Sequence, residues 1–157
     1  MNLNCRDIGL NLAVDDALLE QLYNIGLKHN PKEFGGLLIG NYSEDMKTCV
    51  ITGTLLPKKY KSSRYYFERG REGLLEKLEA LYNAELRSIY VGEWHTHPDG
   101  PASPSDTDEE AMQTISEHDE VTITNPLLLI LAITPEGYTF GFYVNFKNKL
   151  YKYEQQR

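Results

Sequence analysis

Two of the chain's four histidines, His95 and His97, stand one residue apart within "GEWHTHPDGPASPSD", Gly92 to Asp106. Side chains two apart in a strand share a face, so both imidazoles point the same way at the carboxyl end of "IYVGEWHTH". Zinc takes nitrogen ligands at about 2.0–2.1 Å in a tetrahedral array and accepts a carboxylate beside them. Pro98 holds His97 extended and turns the chain out into "DGPASPS". That loop delivers Asp108 to the first turn of a following helix, with ten residues between it and His97. Two imidazoles and one carboxylate leave a fourth position for water, which is the mark of a catalytic zinc site.

Each piece alone has a plainer explanation. An HxH pair on a strand is more often solvated or hydrogen-bonded than metal-bound. Ser105-x-x-Asp108 is close to a capping box, and Asp106, Glu109 and Glu110 complement a helix dipole. Glu93 shares the strand face of His95. It reads as a partner that orients a histidine, as a salt-bridge residue, or as a rival base, the first two being favoured. Ser103 breaks the Ser-x-x-Asp spacing and is a weaker rival to Ser105. His29, at a helix end, and His118, within the acidic "SEHDE", read as surface groups.

The elements that must position these residues follow from periodicity. "VDDALLEQLYNIGLKHN" carries Leu18, Leu22 and Ile25 at helical spacing, with Asp15 or Asp16 as cap and Pro31 as its end. "EFGGLLIGNY" is expected to be a buried strand, hairpinned through "YSEDMK" to "TCVITGTLLP". "SSRYYFERG" is expected to be a third strand. From about Gly70 to Arg87, leucines at 74, 75, 78, 81 and 86 predict an amphipathic helix. "SIYVGEWHTH" is rich in β-formers, and "SDTDEEAMQTISEHD" opens as a helix does. "NPLLLILAITPEGYTFGFYVNFKNKLYKY" supplies a buried strand, a turn at Pro135–Gly137, another strand and a short last one. The expected class is α/β, a sheet covered by helices.

Bulk properties narrow the function. A chain of 157 residues fits one domain with a real core. With a net charge of −7 and no basic block, no nucleic-acid partner is expected. Cys5 and Cys49 are too few for a disulfide framework, which suits a reducing cytoplasm. The N-terminus lacks an apolar core of signal-peptide length. The apolar run Leu127 to Ile133 is too short to span a bilayer, so no membrane role is expected.

The combined pattern, HxHP followed by Ser-x-x-Asp with an earlier "KEFGGLLIG", resembles the JAMM motif of the MPN-domain metalloproteases. These are zinc enzymes that cut isopeptide bonds after ubiquitin-like proteins. The resemblance covers nearly the whole chain. It implies a single JAMM domain over residues 1–157, a mixed β-sheet flanked by helices with cytidine-deaminase-like architecture. It also implies one Zn2+ held by His95, His97 and Asp108. Glu33, placed on an early strand, becomes the general base, and Ser105 donates a hydrogen bond to the oxyanion. Most family members carry an aromatic or apolar residue where this chain has Glu93. A narrower resemblance, on "GEWHTHPDGP" and the compact length, is to the stand-alone bacterial JAMM proteases of CBASS antiphage operons. It implies a protein substrate, a CD-NTase or ubiquitin-like C-terminal tail conjugated to a target. A JAMM enzyme trimming a sulfur-carrier protein and a non-catalytic MPN scaffold are the alternatives. A thermolysin-type HExxH is absent. A deaminase P-C-x-x-C is equally absent, the two cysteines lying 44 positions apart.

Overall fold

The computed structural model describes residues 1–117 and 123–156. Two short strands, β1 (Asn2–Cys5) and β2 (Leu10–Val14), pair antiparallel at the start of the chain. Sequence periodicity assigns no strand there, because each segment buries only two alternate side chains: Leu3 and Cys5, then Leu12 and Val14. Helix α1 (Asp16–Leu27) follows, with Asp15 as its cap: the Ala17 amide donates to the Asp15 carboxylate at 3.0 Å. β3 (Gly35–Tyr42) and β4 (Thr48–Leu55) form the expected hairpin, with Leu37 opposite Leu55 and Tyr42 opposite Cys49.

The stretch expected as a single third strand is instead a separate two-stranded hairpin, β5 (Tyr60–Ser63) and β6 (Tyr66–Arg69). The chain reverses at Arg64–Tyr65, where the Tyr65 amide donates to the Ser63 hydroxyl. The next helix is also shorter than expected. α2 runs only from Leu74 to Tyr82, after Gly73 at φ 74°, a left-handed position suited to glycine. Leu74 is its one buried residue, whereas Leu75 and Leu86 are 68% and 87% exposed.

β7 (Ile89–Pro98), α3 (Asp106–Glu117), β8 (Leu127–Thr134), β9 (Gly137–Phe146), β10 (Lys149–Lys152) and β11 (Glu154–Gln155) complete the chain. Nine strands form one mixed sheet in the order β10-β9-β8-β7-β3-β4-β2-β1-β11. Its parallel pairs are β2 with β4 and β7 with β8. No described helix is long and apolar enough to cross a membrane.

Strand alternation sorts the two faces. Leu129 and Leu131 of β8 join Leu18, Leu19 and Leu22 of α1 in one apolar cluster. Leu128 and Ile130 join Met112 of α3 in another. β7 and β8 are parallel, with Glu93 beside Leu128, His95 beside Ile130 and His97 beside Ala132. The two histidines and Glu93 therefore look out on the α3 side, while Trp94 and Thr96 are buried toward α1.

The far end of the core holds a titratable cluster of Tyr42, Cys49 and Tyr153. Burial pushes the Cys49 thiol from 9.0 up to about 12, against a smaller opposing hydrogen bond with Tyr42. Burial raises both tyrosines as well. Above about pH 9 the unfolded chain releases these protons before the folded one does, so stability falls as pH rises from there toward 12. The denaturant midpoint is expected to drop steadily over that alkaline range. A flat profile would contradict the burial of the thiol.

Candidate metal centre

The centre is assembled from three elements. β7 ends with both histidines on one face, and their Nε2 atoms lie 3.1 Å apart. α3 opens with the capping box anticipated from Ser105 and Asp108, and it is reciprocal. The Ser105 amide donates to Asp108 Oδ2 at 2.7 Å, and the Asp108 amide donates to the Ser105 hydroxyl at 3.2 Å. The same carboxylate reaches His95 Nε2 with Oδ1 at 3.1 Å and His97 Nε2 with Oδ2 at 3.4 Å. Capping and the histidine cluster are one arrangement: the box pins the aspartate rotamer that faces the imidazoles.

The third element is the segment before β3. Glu33 lies two residues ahead of the strand and not on it, and its side chain is 8% exposed. Its amide donates to the Ser63 carbonyl at 2.8 Å. Its neighbour Phe34 is clamped to β7 by Thr96, whose hydroxyl accepts the Phe34 amide at 3.0 Å. The Thr96 amide returns a bond to the Phe34 carbonyl at 2.9 Å. Thr96 is invisible to pattern reading: a fully buried threonine between two histidines looks like any strand residue. Gly35 faces His95 across the strand pair. A Cβ there would sit 2.0 Å from the Trp94 carbonyl oxygen, so any other residue would force β3 away from the histidines.

The donor set fits zinc. Ligands at about 2.0–2.1 Å around a tetrahedral ion lie roughly 3.3–3.4 Å from one another, and the three separations here run from 3.1 to 3.4 Å. His97 Nδ1 lies 2.9 Å from the Pro101 carbonyl, which can only accept. Nδ1 therefore carries a hydrogen, which would leave Nε2 free to offer its lone pair to an ion held between His95 and Asp108. All three side chains are only 12–14% exposed, so they form a tight, largely desolvated set.

The two carboxylates are pushed apart electrostatically. Burial raises Glu33, an effect the nearby His95 and His97 charges reduce and Asp108 reinforces. Burial also opposes ionisation of Asp108, but hydrogen bonds to His95 and His97 overcome it and hold Asp108 well below the usual carboxylate range. Burial disfavours the His97 imidazolium, yet bonds to Asp108 and Pro101 outweigh that and leave His97 raised. Environments that separate two carboxylates in this way suit one to a standing charge and the other to proton transfer.

Glu93 is not part of this set. Arg69 grips it through Nε at 2.8 Å and Nη2 at 2.6 Å, and the Tyr90 hydroxyl donates to it at 2.9 Å. Truncating Arg69 to alanine strands a mostly buried carboxylate, 14% exposed. The expected cost is near the lower end of the about 3–5 kcal/mol for a broken buried pair. Denaturant unfolding checks this, with zinc content unchanged; a loss below about 0.5 kcal/mol, typical of a surface pair, would contradict it. For the remaining candidates, no hydrogen bond or ion pair among the described residues ties Ser103 to the centre. His29 is half-buried and not a surface group, stacked on Phe34 at 3.7 Å with Nδ1 3.0 Å from the Ile25 carbonyl. His118 lies outside the described residues.

Comparison with known proteins agrees with this geometry. Residues 15–142 match the family described as prokaryotic homologs of the JAB domain. A protein of Enterobacter hormaechei subsp. hoffmannii (strain UCI 50), described as a CD-NTase/cGAS isopeptidase, is 36% identical over 127 residues. That match spans 80% of this chain and 69% of the relative. The solution structure of a Desulfitobacterium hafniense protein superposes with a TM-score of 0.69 over 90% of this chain and 88% of that one. At 17% identity it speaks for the fold alone. A match over most of the length, with the paired histidines and the aspartate converging on one face, makes this chain a member of the JAB (JAMM/MPN) domain family, in its prokaryotic branch.

Proposed function

We propose that the protein is a zinc-dependent isopeptidase that releases a CD-NTase or ubiquitin-like C-terminal tail from the amine to which it is joined. The observation that carries this reading is the triangle of His95, His97 and Asp108 beside the buried carboxylate of Glu33. The CD-NTase/cGAS isopeptidase relative supports the choice of modifier, and with it a place in CBASS antiphage signalling. The proposal extends to a single cytoplasmic domain over residues 1–157. A cytidine-deaminase-like architecture is favoured by the parallel β7–β8 pair joined through α3.

His95, His97 and Asp108 would hold zinc, which when bound lowers the pKa of water to about 7 and polarises a carbonyl. Glu33, raised by burial, takes a proton from the attacking water and hands it to the leaving amine. The Ser105 hydroxyl accepts from the Asp108 amide and keeps its own hydrogen free. That hydrogen is available to the oxyanion, where one such donor can matter by about 10²–10³ in rate. A substrate joining two folded proteins reaches this centre through an extended tail, which would bind by main-chain pairing along a strand edge. The hairpin β5–β6 offers that edge.

The test is a CD-NTase fused ahead of a fluorescent protein. Cleavage directly after the modifier's last residue is expected, together with one zinc per chain by elemental analysis and loss of activity on chelation that added zinc restores. Protein without zinc whose activity ignores chelators sinks the metal assignment. Equal cutting of unstructured peptides of any sequence would indicate a general peptidase instead.

A further inference from the structure

Beside His95 and Asp108 the sheet face opens into a groove of about 310 Å³ between β6, β7 and α3. One wall is apolar, made by Met112 and Ile115 of α3 over Leu128 of β8. The other is charged and comes from Glu68, Arg69, Arg71 and Glu93. These charges do not count equally. Arg69 and Glu93 neutralise each other at 2.6 and 2.8 Å, and Glu68 accepts the Tyr66 hydroxyl. Lys59 and Arg64 of the same hairpin region have partners in Glu72 and Asp99. Arg71 is exposed and pairs with no acidic side chain among the described residues.

The neighbourhood reinforces this cation. Of the basic residues from 58 to 71, Lys59, Arg64 and Arg69 are paired with Glu72, Asp99 and Glu93, so Lys58, Lys61 and Arg71 stand against Glu68, a local balance of +2 inside a chain of −7. Exposed charges are screened beyond about 8 Å at physiological salt. A ligand in the groove therefore feels this hairpin together with Asp108, which also lines the groove, more than the distant surface charges.

Resting on the deconjugation reading above, we propose that the groove selects a modifier tail bearing an acidic side chain, held by Arg71 within a few residues of the scissile bond. An adjacent apolar side chain of the tail packs against Met112, Ile115 and Leu128. A guanidinium offers a carboxylate two parallel N–H donors, a geometry lysine does not supply. The Arg69–Glu93 pair next to it adds no net charge to compete for the ligand. Specificity then lies in the tail and not in the acceptor.

The test is a series of CD-NTase–fluorescent-protein fusions with each of the last residues before the junction set to Glu, Ala or Lys. Fluorescently labelled peptides with the same tails report binding by anisotropy. At one position the wild-type protein should prefer Glu over Lys by about tenfold or more in kcat/KM and in peptide affinity, as a charge-assisted hydrogen bond allows. Arg71→Glu should reverse that preference at the same position, with zinc content unchanged. If no fusion is cut while the Glu peptide still binds in an Arg71-dependent way, the deconjugation reading falls and the acid preference of the groove stands. Equal handling of Glu and Lys tails by the wild-type protein overturns the proposal, as does an Arg71→Glu variant that weakens all tails alike.

Discussion

Replacing Glu33 with glutamine is expected to lower turnover by about 10²–10⁴-fold, the usual contribution of a general base, while zinc stays bound. Glutamine matches the shape of the carboxylate but carries no proton between water and the leaving amine. The structure holds this carboxylate in place although its burial opposes its ionisation. Thr96 fixes the adjacent Phe34 to the histidine strand, and the Glu33 side chain is 8% exposed. Burial raises its pKa above the ordinary 4.5, so the folded chain holds this proton more tightly than the unfolded one. Stability therefore falls as pH climbs from 4.5 through the raised value, and the ionised carboxylate works against the fold at neutral pH. The glutamine variant escapes this, and its metal-depleted form should melt higher than wild type at pH 7. A fully zinc-loaded Glu33→Gln protein with normal turnover, alongside a Glu93→Gln protein that is dead, would reverse the two assignments.

Asp108→Ala should abolish both zinc binding and cleavage, and in addition weaken the metal-free protein. The carboxylate has two jobs in this structure: it faces His95 and His97, and it accepts the Ser105 amide at the start of α3. Losing the cap costs about 1 kcal/mol, or roughly 2–4 °C in melting temperature for a chain of this size. Asp108→Asn separates the jobs. The amide oxygen still accepts from Ser105, so melting in the presence of chelator should recover the share due to the cap, while the share due to the charge facing His95 and His97 stays lost. The charge that balances the metal is gone, so zinc occupancy and turnover should not recover. Stoichiometric zinc and normal cleavage in the alanine variant would remove Asp108 from the centre.

His95, His97 and Asp108 are legible in the sequence itself, because their placement depends on local rules. A period of two puts the histidines on one face, Pro98 turns the chain outward, and a Ser-x-x-Asp box marks the helix start. The same local logic finds α1, the β3–β4 hairpin and the buried run of β8. It fails where the deciding contacts are remote or the segments short. Two buried positions per strand are too faint a signal for β1 and β2, and the reversal at Arg64–Tyr65 is hidden within a stretch of β-formers. Glu33 is reached only through resemblance, since no local rule links it to histidines 62 and 64 residues later. The pairing of β3 with β7 brings it there, through Gly35 and Thr96. Glu93 has three open roles in the sequence, and β6 decides among them by placing Arg69, 24 positions upstream, against it. Periodicity tells which way a side chain points along its own strand. Which strand lies next to it is a matter of long-range pairing, and that pairing brings Glu33, the two histidines and the charged groove wall together.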